Sequence, residues 1–329
     1  MRLVAFLLTA TFALAQENVS TFSIVAFDPA AGDWGIAVAS RYFSVGAVVP
    51  WAEAGTGAVA TQANVNVGYG PKALTLLREG LSAKEVLKRL LDEDTFPGKD
   101  GRQVAIIDAK GNVATFTGPN APTWAGDRQN AAGAKIPWSA QGNILAGPQV
   151  PESMGKAFEA TQGELAEKMW AALKAGDEAG GDTRGRQSAS MLVVRKGGGR
   201  NTNNDRYIYI NVDDAPNPFP ELRRLLDINL GLLYSEKVGR FLGAGDTAGA
   251  RDAAQKIMRY MPQNAQAPLT LGFLAYAAGD KAAAITEFKK AQALDTANFK
   301  RRFDQSAQRP LFKAILEDKE FTRQLFPND

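Results

Sequence analysis

"TFSIVAFDPAAGDWGIAVAS", residues 21–40, decides the fold. Two apolar runs, "TFSIVAFD" and "DWGIAVAS", flank the turn-forming spacer "PAAG", which is the pattern of a β-hairpin. "VGAVVPWA" (45–52) and "GTGAVATQANV" (55–65) continue in the same style, and the reading takes both as strands. Next, "GPKALTLLREG" (70–80) and "SAKEVLKRLLDED" (82–94) switch to helical spacing, with Ser82 and Glu85 set as a capping box. "RQVAIIDAKGNVATFTG" (102–118) is a second hairpin, and "WSAQGNILAG" (138–147) a strand-like stretch. Helices are expected over about 151–176, and "RQSASMLVVRK" (186–196) and "RYIYINVDD" (206–214) close the sheets. Strands, two helices, strands, two helices and strands again make an α+β layered domain, not a parallel βαβ fold.

Composition narrows the chemistry. The chain has no histidine and no cysteine. A Ser-His-Asp triad, a Cys-His pair, a disulfide and the usual zinc sites are therefore excluded. A general base must be a carboxylate, lysine, tyrosine or a free α-amino group. No metal and no cofactor is expected. The formal charge is only +3 and no Lys/Arg-rich run occurs, so a nucleic-acid partner is not expected.

The first 15 residues read as a signal peptide: Arg2, an apolar run from Leu3 to Leu14, and a small-x-small end at Ala13-Leu14-Ala15. The expected protein is exported, periplasmic or extracellular, with no transmembrane segment.

From residue 219 the pattern is helical, and a repeat emerges. "FLGAGDTAGARDAAQKIMRYMPQN" (241–264) aligns with "AYAAGDKAAAITEFKKAQALDTAN" (275–298) at an offset of 34 residues. That period, with small residues where helices cross, is the tetratricopeptide pattern. The reading divides the chain into residues 21–218 and an all-α tail, 219–329, suited to docking a protein partner. Phe219–Asn229 and Pro310–Phe326 are expected to cap the repeats.

Thr21 is the candidate nucleophile. Without histidine, a threonine hydroxyl can be activated by its own α-amino group, provided the residue is N-terminal. On spacing alone Thr21 also fits a residue that merely opens a strand.

"TFSIVAFDPAAGDWGIAVASRYFSVGAVVPWAEAGTGAVATQANVNVGYGP", "WSAQGNILAGP", "GGDTRGRQSASMLVV" and "VDDAPNPFPELRRLL" together resemble the family catalogued as domain of unknown function 1028. The resemblance implies a branch of the N-terminal nucleophile hydrolases, with a four-layer α-β-β-α sandwich and Thr21 as nucleophile. Shorter members begin Met-Thr-Phe-Ser, so that loss of Met exposes the equivalent of Thr21. Some relatives carry a peptidoglycan-binding tail, which implies an envelope setting.

The layout is also similar to proteasome-type β-subunits. Where those have Ala-Asp-Ser-Arg, this chain has "VASR": Ser40 and Arg41 match, while Ala39 stands at the Asp position. Their lysine falls near "VVPWAEAG" (48–55), which holds none, leaving Arg41 to supply a positive field. The resemblance also implies that Asn143 sits beside the nucleophile's amine, or donates to an oxyanion, and that Asp182 orients the amino group. Arg184 or Arg186 would bind a substrate carboxylate. Gln62, Asn64, Tyr69 and Gln141 are candidate pocket lining.

The resulting expectation is an exported hydrolase of amide-type bonds, acting on envelope-derived material or on small amide or ureido compounds. Its rival is a non-catalytic binding or scaffold protein that keeps the fold.

Overall fold

The computed structural model describes residues 21–327; the expected signal peptide and the Ser20–Thr21 bond lie outside the described residues. β1 (Thr21–Asp28) and β2 (Asp33–Ser40) form the expected antiparallel hairpin, in register from Thr21↔Ser40 to Asp28↔Asp33. Asp28 Oδ1 closes its turn by accepting from Ala30 N and Ala31 N at 3.0 and 3.3 Å.

Beyond the hairpin come β3 (Pro50–Glu53), β4 (Gly57–Ala63), α1 (Tyr69–Arg78) and α2 (Ala83–Asp92). Next are β5 (Arg102–Asp108), β6 (Val113–Thr117), β7 (Gly126–Gln129) and β8 (Trp138–Asn143). α3 (Gln149–Ala160), α4 (Leu165–Glu178), β9 (Ser188–Arg195) and β10 (Arg206–Val212) complete the region. Two antiparallel sheets result, one ordered β10-β9-β2-β1-β8-β7, the other β3-β4-β5-β6. Residues 45–47, read as strand, form a 3-10 turn that starts at Ser44 with φ 54°, and β7 is an addition to the expected strands.

Alternation along each strand sorts the side chains into layers. Val25, Phe27, Trp34 and Ile36 of the first sheet meet Ala58, Ala60, Ala105 and Ile107 of the second. Phe22, Ile24, Ala37 and Met191 point the other way, onto Met154, Phe158, Met169 and Leu173 of α3 and α4. Val59, Val104 and Ile106 carry α1 and α2 on the far side of the second sheet. Gly35 is part of this packing, since a Cβ there would lie 2.7 Å from Met169 Sδ. The Ser82–Glu85 capping box starts α2 as expected.

The helical region holds α5 (Pro218–Gly243), α6 (Thr247–Tyr260), α7 (Gln266–Ala277), α8 (Lys281–Leu294), α9 (Phe299–Ala307) and α10 (Lys319–Leu325). The sequence repeat is a structural one: α6 and α8 have equal length, 14 residues each. They begin at equivalent caps, where Asp246 and Asp280 accept from the backbone N–H three residues on, at 2.8 and 2.9 Å. Gly245 and Gly279 precede them at φ 74° and 83°, a turn that disfavours any other residue. Asp318 caps α10 in the same way at 3.1 Å, so the expected C-terminal cap, Pro310–Phe326, contains a third, shorter version of the motif. Phe273 centres this end of the tail, with the Phe288, Phe303 and Phe312 rings 4.9–5.0 Å away.

At the other end the expectation of a cap on the repeats does not hold. Phe219, Leu222 and Leu226 enter the same apolar cluster as β9, β10 and α4. The reason is amphipathic: these positions form one stripe of α5, and the uncovered face of β9 and β10 is the larger apolar surface within reach. The cluster continues through Leu230, Leu233 and Tyr234 to Ala253, Ile257 and Tyr260 of α6. A polar clamp reinforces the join. Glu164, before α4, accepts from the hydroxyls of Tyr207 (2.5 Å) and Tyr234. Burial, with Glu164 alongside, pushes both phenols well above their usual range, so they remain donors.

Candidate functional site

Thr21 lies at one end of the six-stranded sheet, and its neighbours follow from register. Antiparallel pairing sets Thr21 opposite Asn143 of β8 and Ser40 of β2, and Ser40 opposite Ser188 of β9. Directly paired residues point to the same face. Asn143, Thr21, Ser40 and Ser188 therefore form one transverse row of polar side chains, each buried between the sheets. Thr21 Oγ1 and Ser40 Oγ are 3.2 Å apart. The same face is apolar at the opposite end of the strands, so this polar end is a local feature of the layer.

A second ring of groups fastens the row. Gln62 donates from Nε2 to the Thr21 carbonyl at 3.2 Å and to Gln103 Oε1 at 2.8 Å. Ser23 donates to Gln62 Oε1 at 2.6 Å, and Asn143 Nδ2 donates to Gln103 Oε1 at 3.1 Å. Gln103 Nε2 donates in turn to the Gly142 carbonyl (2.8 Å) and Thr117 Oγ1 (3.0 Å). Gln141, one step further along β8, donates to the Ala60 carbonyl at 3.4 Å. In a low-dielectric layer an unsatisfied amide costs several kcal/mol, and linked bonds hold each other's geometry. Sequence reasoning missed Gln103. Its signal was a lone amide inside the apolar strand "RQVAIID".

The strand end beside Thr21 is strained. Ile144, immediately after Asn143, has φ 51°. A β-branched residue is rarely found there, and such outliers persist where the surrounding structure holds them. The hold comes from the loop after α4: Thr183 N donates to the Ile144 carbonyl at 3.2 Å and Ala146 N to the Gly181 carbonyl at 3.2 Å.

Asp182 organises that loop. Its carboxylate accepts from Arg41 N (2.8 Å), from Arg184 N (2.8 Å) and from the Arg184 guanidinium (3.2 and 3.3 Å). Arg41 returns a guanidinium bond to the Arg184 carbonyl. Asp182 thus ties the end of β2 to the loop, and its bonds go to Arg41 and Arg184. Arg186 is braced by Asp177 through Nε and Nη2.

Between these groups opens a cleft of about 310 Å³. Ser40, Thr183, Arg184 and Arg186 line it on the polar side, with Phe22, Ala39 and Phe219 on the apolar side. Phe219 belongs to α5, so the helical region contributes a wall.

Asn64 and Tyr69 do not join this site. Asn64 donates to the Gly98 carbonyl at 3.2 Å, and Tyr69 to Asp94 Oδ2 at 2.6 Å. Asp94 is also paired with buried Arg102 at 3.0 Å, and the Arg102 guanidinium lies 4.7 Å from the Phe96 ring centre. The two residues brace the loop at the end of β4. Among the described residues no group of three His, Cys, Asp or Glu side chains is placed to hold a metal ion, and no helix is long and apolar enough to cross a membrane.

The family model that matches this chain covers residues 21–222, from Thr21 to the first turns of α5. The chain belongs to the family of unknown function DUF1028. A solved structure of a DUF1028 protein from Silicibacter pomeroyi is similar, with 31% identity and a TM-score of 0.56. The likeness covers 63% of this chain and 84% of that one. No curated protein matches the chain. The DUF1028 match starts at Thr21, a member of the polar row, and it ends where the helical region begins.

Proposed function

We propose that this DUF1028 protein is an exported hydrolase of small amide or ureido compounds, with Thr21 acting as an N-terminal nucleophile. The observation that carries this is the placement of Thr21 at the start of β1, in one buried row with Asn143 and Ser40, beside a cleft lined by Ser40. Two face-to-face antiparallel sheets with helices on both outer faces support the N-terminal nucleophile hydrolase reading.

In this reading the free α-amino group of Thr21 accepts the hydroxyl proton as Oγ1 attacks the substrate carbonyl. The resulting ammonium returns that proton to the leaving nitrogen as the C–N bond breaks. Water then hydrolyses the acyl ester on Oγ1, with the amine again acting as base. Ser40 Oγ, 3.2 Å from Thr21 Oγ1, orients the hydroxyl. Arg41 and Arg184 contribute positive charge near the developing oxyanion. Arg186, held by Asp177, takes a substrate carboxylate. Asp182 acts by holding the loop that carries these groups. A cleft of about 310 Å³ is at the small end of ligand sites, which favours a metabolite over an envelope polymer. The repeats of the tail, tetratricopeptide-like in period, dock a protein partner in this reading.

The mechanism requires cleavage of the Ser20–Thr21 bond. The test is intact mass and N-terminal sequencing of protein recovered from its native compartment, for wild type and Thr21→Ala, with turnover of a panel of small amides and ureides. A wild-type chain beginning at Thr21, an uncut variant and loss of turnover in that variant are expected. A wild type that keeps residues before Thr21, and turns over substrate equally well as Thr21→Ala, ends the reading.

One observation favours a second reading, a binding or scaffold protein on the same fold: Thr21 is fully buried, at 0% exposure. That reading predicts ligand binding in the cleft with no turnover and no cut.

A further inference from the structure

The two sheets differ in width, six strands against four, and β10 is the strand left over on one side. Tyr209 pairs directly with Leu192, and Arg206 with Val194. Leu192 and Val194 belong to the apolar layer between the sheets, so Tyr209 and Arg206 point to that same side. The second sheet stops at β3 and leaves them without a cover: Tyr209 is 44% exposed. A groove of about 940 Å³ opens over them, and it shares no lining residue with the cleft beside Ser40. One of its walls is β3, through Pro50 and Ala52, and the other is the loop before β10. That loop is held in a strained form. Asn201 and Thr202 both have φ 58°, and Glu236 of α5 fixes them by accepting from Asn201 N and Arg200 Nε, each at 3.0 Å. Backbone strain of this kind persists where surrounding structure enforces it, and it concentrates at ligand sites.

The charges and polar atoms of the groove narrow the ligand. Glu53, Arg200, Asp205 and Arg206 border it, two of each sign. Glu53 is paired with Arg78 and Arg200 with Glu236, so Asp205 and Arg206 remain and cancel each other. A charged ligand gains nothing overall from such a wall. A neutral one must supply both donors and acceptors: Arg206 only donates, the Asp205 carboxylate only accepts, and Asn229 borders the groove with a buried Oδ1 that has no hydrogen-bond partner. A hydroxyl does both. An extended peptide is also neutral and two-sided, but it would have to dock along β3. That strand has four residues and begins with Pro50, which has no N–H, and edges so built resist strand addition. A sugar ring instead presents an apolar C–H face, for which the exposed Tyr209 ring beside Leu192 is a platform. We propose that the groove over β10 binds a neutral oligosaccharide, one ring laid on Tyr209 and its hydroxyls held by Asp205, Arg206 and Asn229. This site is separate from the proposed hydrolytic one and does not depend on Thr21.

The experiment titrates the full chain calorimetrically with neutral hexaoses of the chitin, cellulose, xylan and mannan types. An acidic oligogalacturonate and an extended octapeptide of alternating valine and serine serve as the contrasting probes. Saturable binding of at least one neutral hexaose is expected, weakened about tenfold or more in Tyr209→Ala, which removes the platform. Backbone amide shifts of the 15N-labelled wild type should move within residues 46–54 and 200–209 and stay unchanged around Ser40. Binding of none of the neutral hexaoses, equal affinity in wild type and Tyr209→Ala, or tighter binding of the oligogalacturonate overturns the proposal. Binding of the octapeptide alone does so too, because it marks the β3 edge as a strand acceptor. Should Tyr209→Ala fail to fold, the wild-type shift map decides: changes confined to those two stretches support the assignment, and changes elsewhere overturn it.

Discussion

Asp182 accepts the backbone N–H of Arg41 at 2.8 Å across 141 residues of sequence, and this bond joins the end of β2 to the loop that walls the cleft. The same carboxylate carries the Arg184 backbone and guanidinium, and its side chain is 2% exposed. Asp182→Ala removes the acceptor of two part-buried backbone N–H groups, of Arg41 and Arg184, and one of the acceptors of the Arg184 guanidinium. The expected loss is about 2 kcal/mol of folding stability. Asp182→Asn, which still accepts on one oxygen, should lose less. Urea midpoints of the two variants check the order, and equal midpoints for Asp182→Ala and wild type would show that the loop is held by other bonds.

The loop at the end of β4 predicts a pH dependence. Burial opposes ionisation of Asp94, but hydrogen bonds from Tyr69, Phe96 N and Arg102 outweigh it and bring the carboxyl down to about 2, against an ordinary 3.8. A group whose folded value is depressed stabilises the fold above its unfolded value and loses that contribution as pH falls through the folded one. The Asp94 contribution is therefore complete above about pH 4 and gone below about pH 2. The stability gap between wild type and Asp94→Asn should be constant at neutral pH and close across that window. Denaturant midpoints at several pH values measure it, and a gap that is flat down to the lowest pH contradicts the pairing.

The repeat makes a local prediction. Asp246→Ala and Asp280→Ala each remove an N-cap bond and should each cost about 1 kcal/mol. Asp318→Ala should have a broader effect, because Asp318 also accepts from Tyr276 (2.9 Å) and Lys281 (2.5 Å). Thermal melts followed by circular dichroism would read the losses. A negligible effect at Asp246 and Asp280 would mean that the turn glycines alone stop the helices.

Truncation tests how the helical region is joined. A chain ending at Asp227 strips Leu230, Leu233, Tyr234 and the α6 residues from a shared apolar cluster and removes a partner of Glu164. A chain ending after α6, near Asn264, keeps the clamp and all of the cluster but Ala267 and Leu271 of α7. The longer chain is expected to stay folded and monodisperse, and the shorter to lose stability and bind a hydrophobic dye. Gel filtration and dye binding decide, and a well-behaved chain ending at Asp227 would show that the α5–α6 packing is dispensable.

Much of this was legible locally. Two apolar runs around "PAAG" point to the β1–β2 hairpin, because a short turn-forming spacer lets consecutive strands pair directly. Ser82 with Glu85 announces a helix start through a bond to backbone only three residues away. The zeros for histidine and cysteine needed no coordinates at all. Legibility stopped where partners are far apart. Nothing in "RQVAIID" says that Gln103 will meet Gly142, nor does "QANV" separate Gln62, which reaches Thr21, from Asn64, which turns to Gly98.

The sequence by itself determined the elements, the repeat and the classes of chemistry left to the chain, since these depend on residue type and on spacing within a turn or a strand. Only the tertiary structure decided which polar residues share a site. Side chains on adjacent positions of a strand face opposite layers, so sequence neighbours such as Thr21 and Phe22 are parted, while Thr21, Ser40, Asn143 and Gln103 meet through sheet register and the stacking of two sheets.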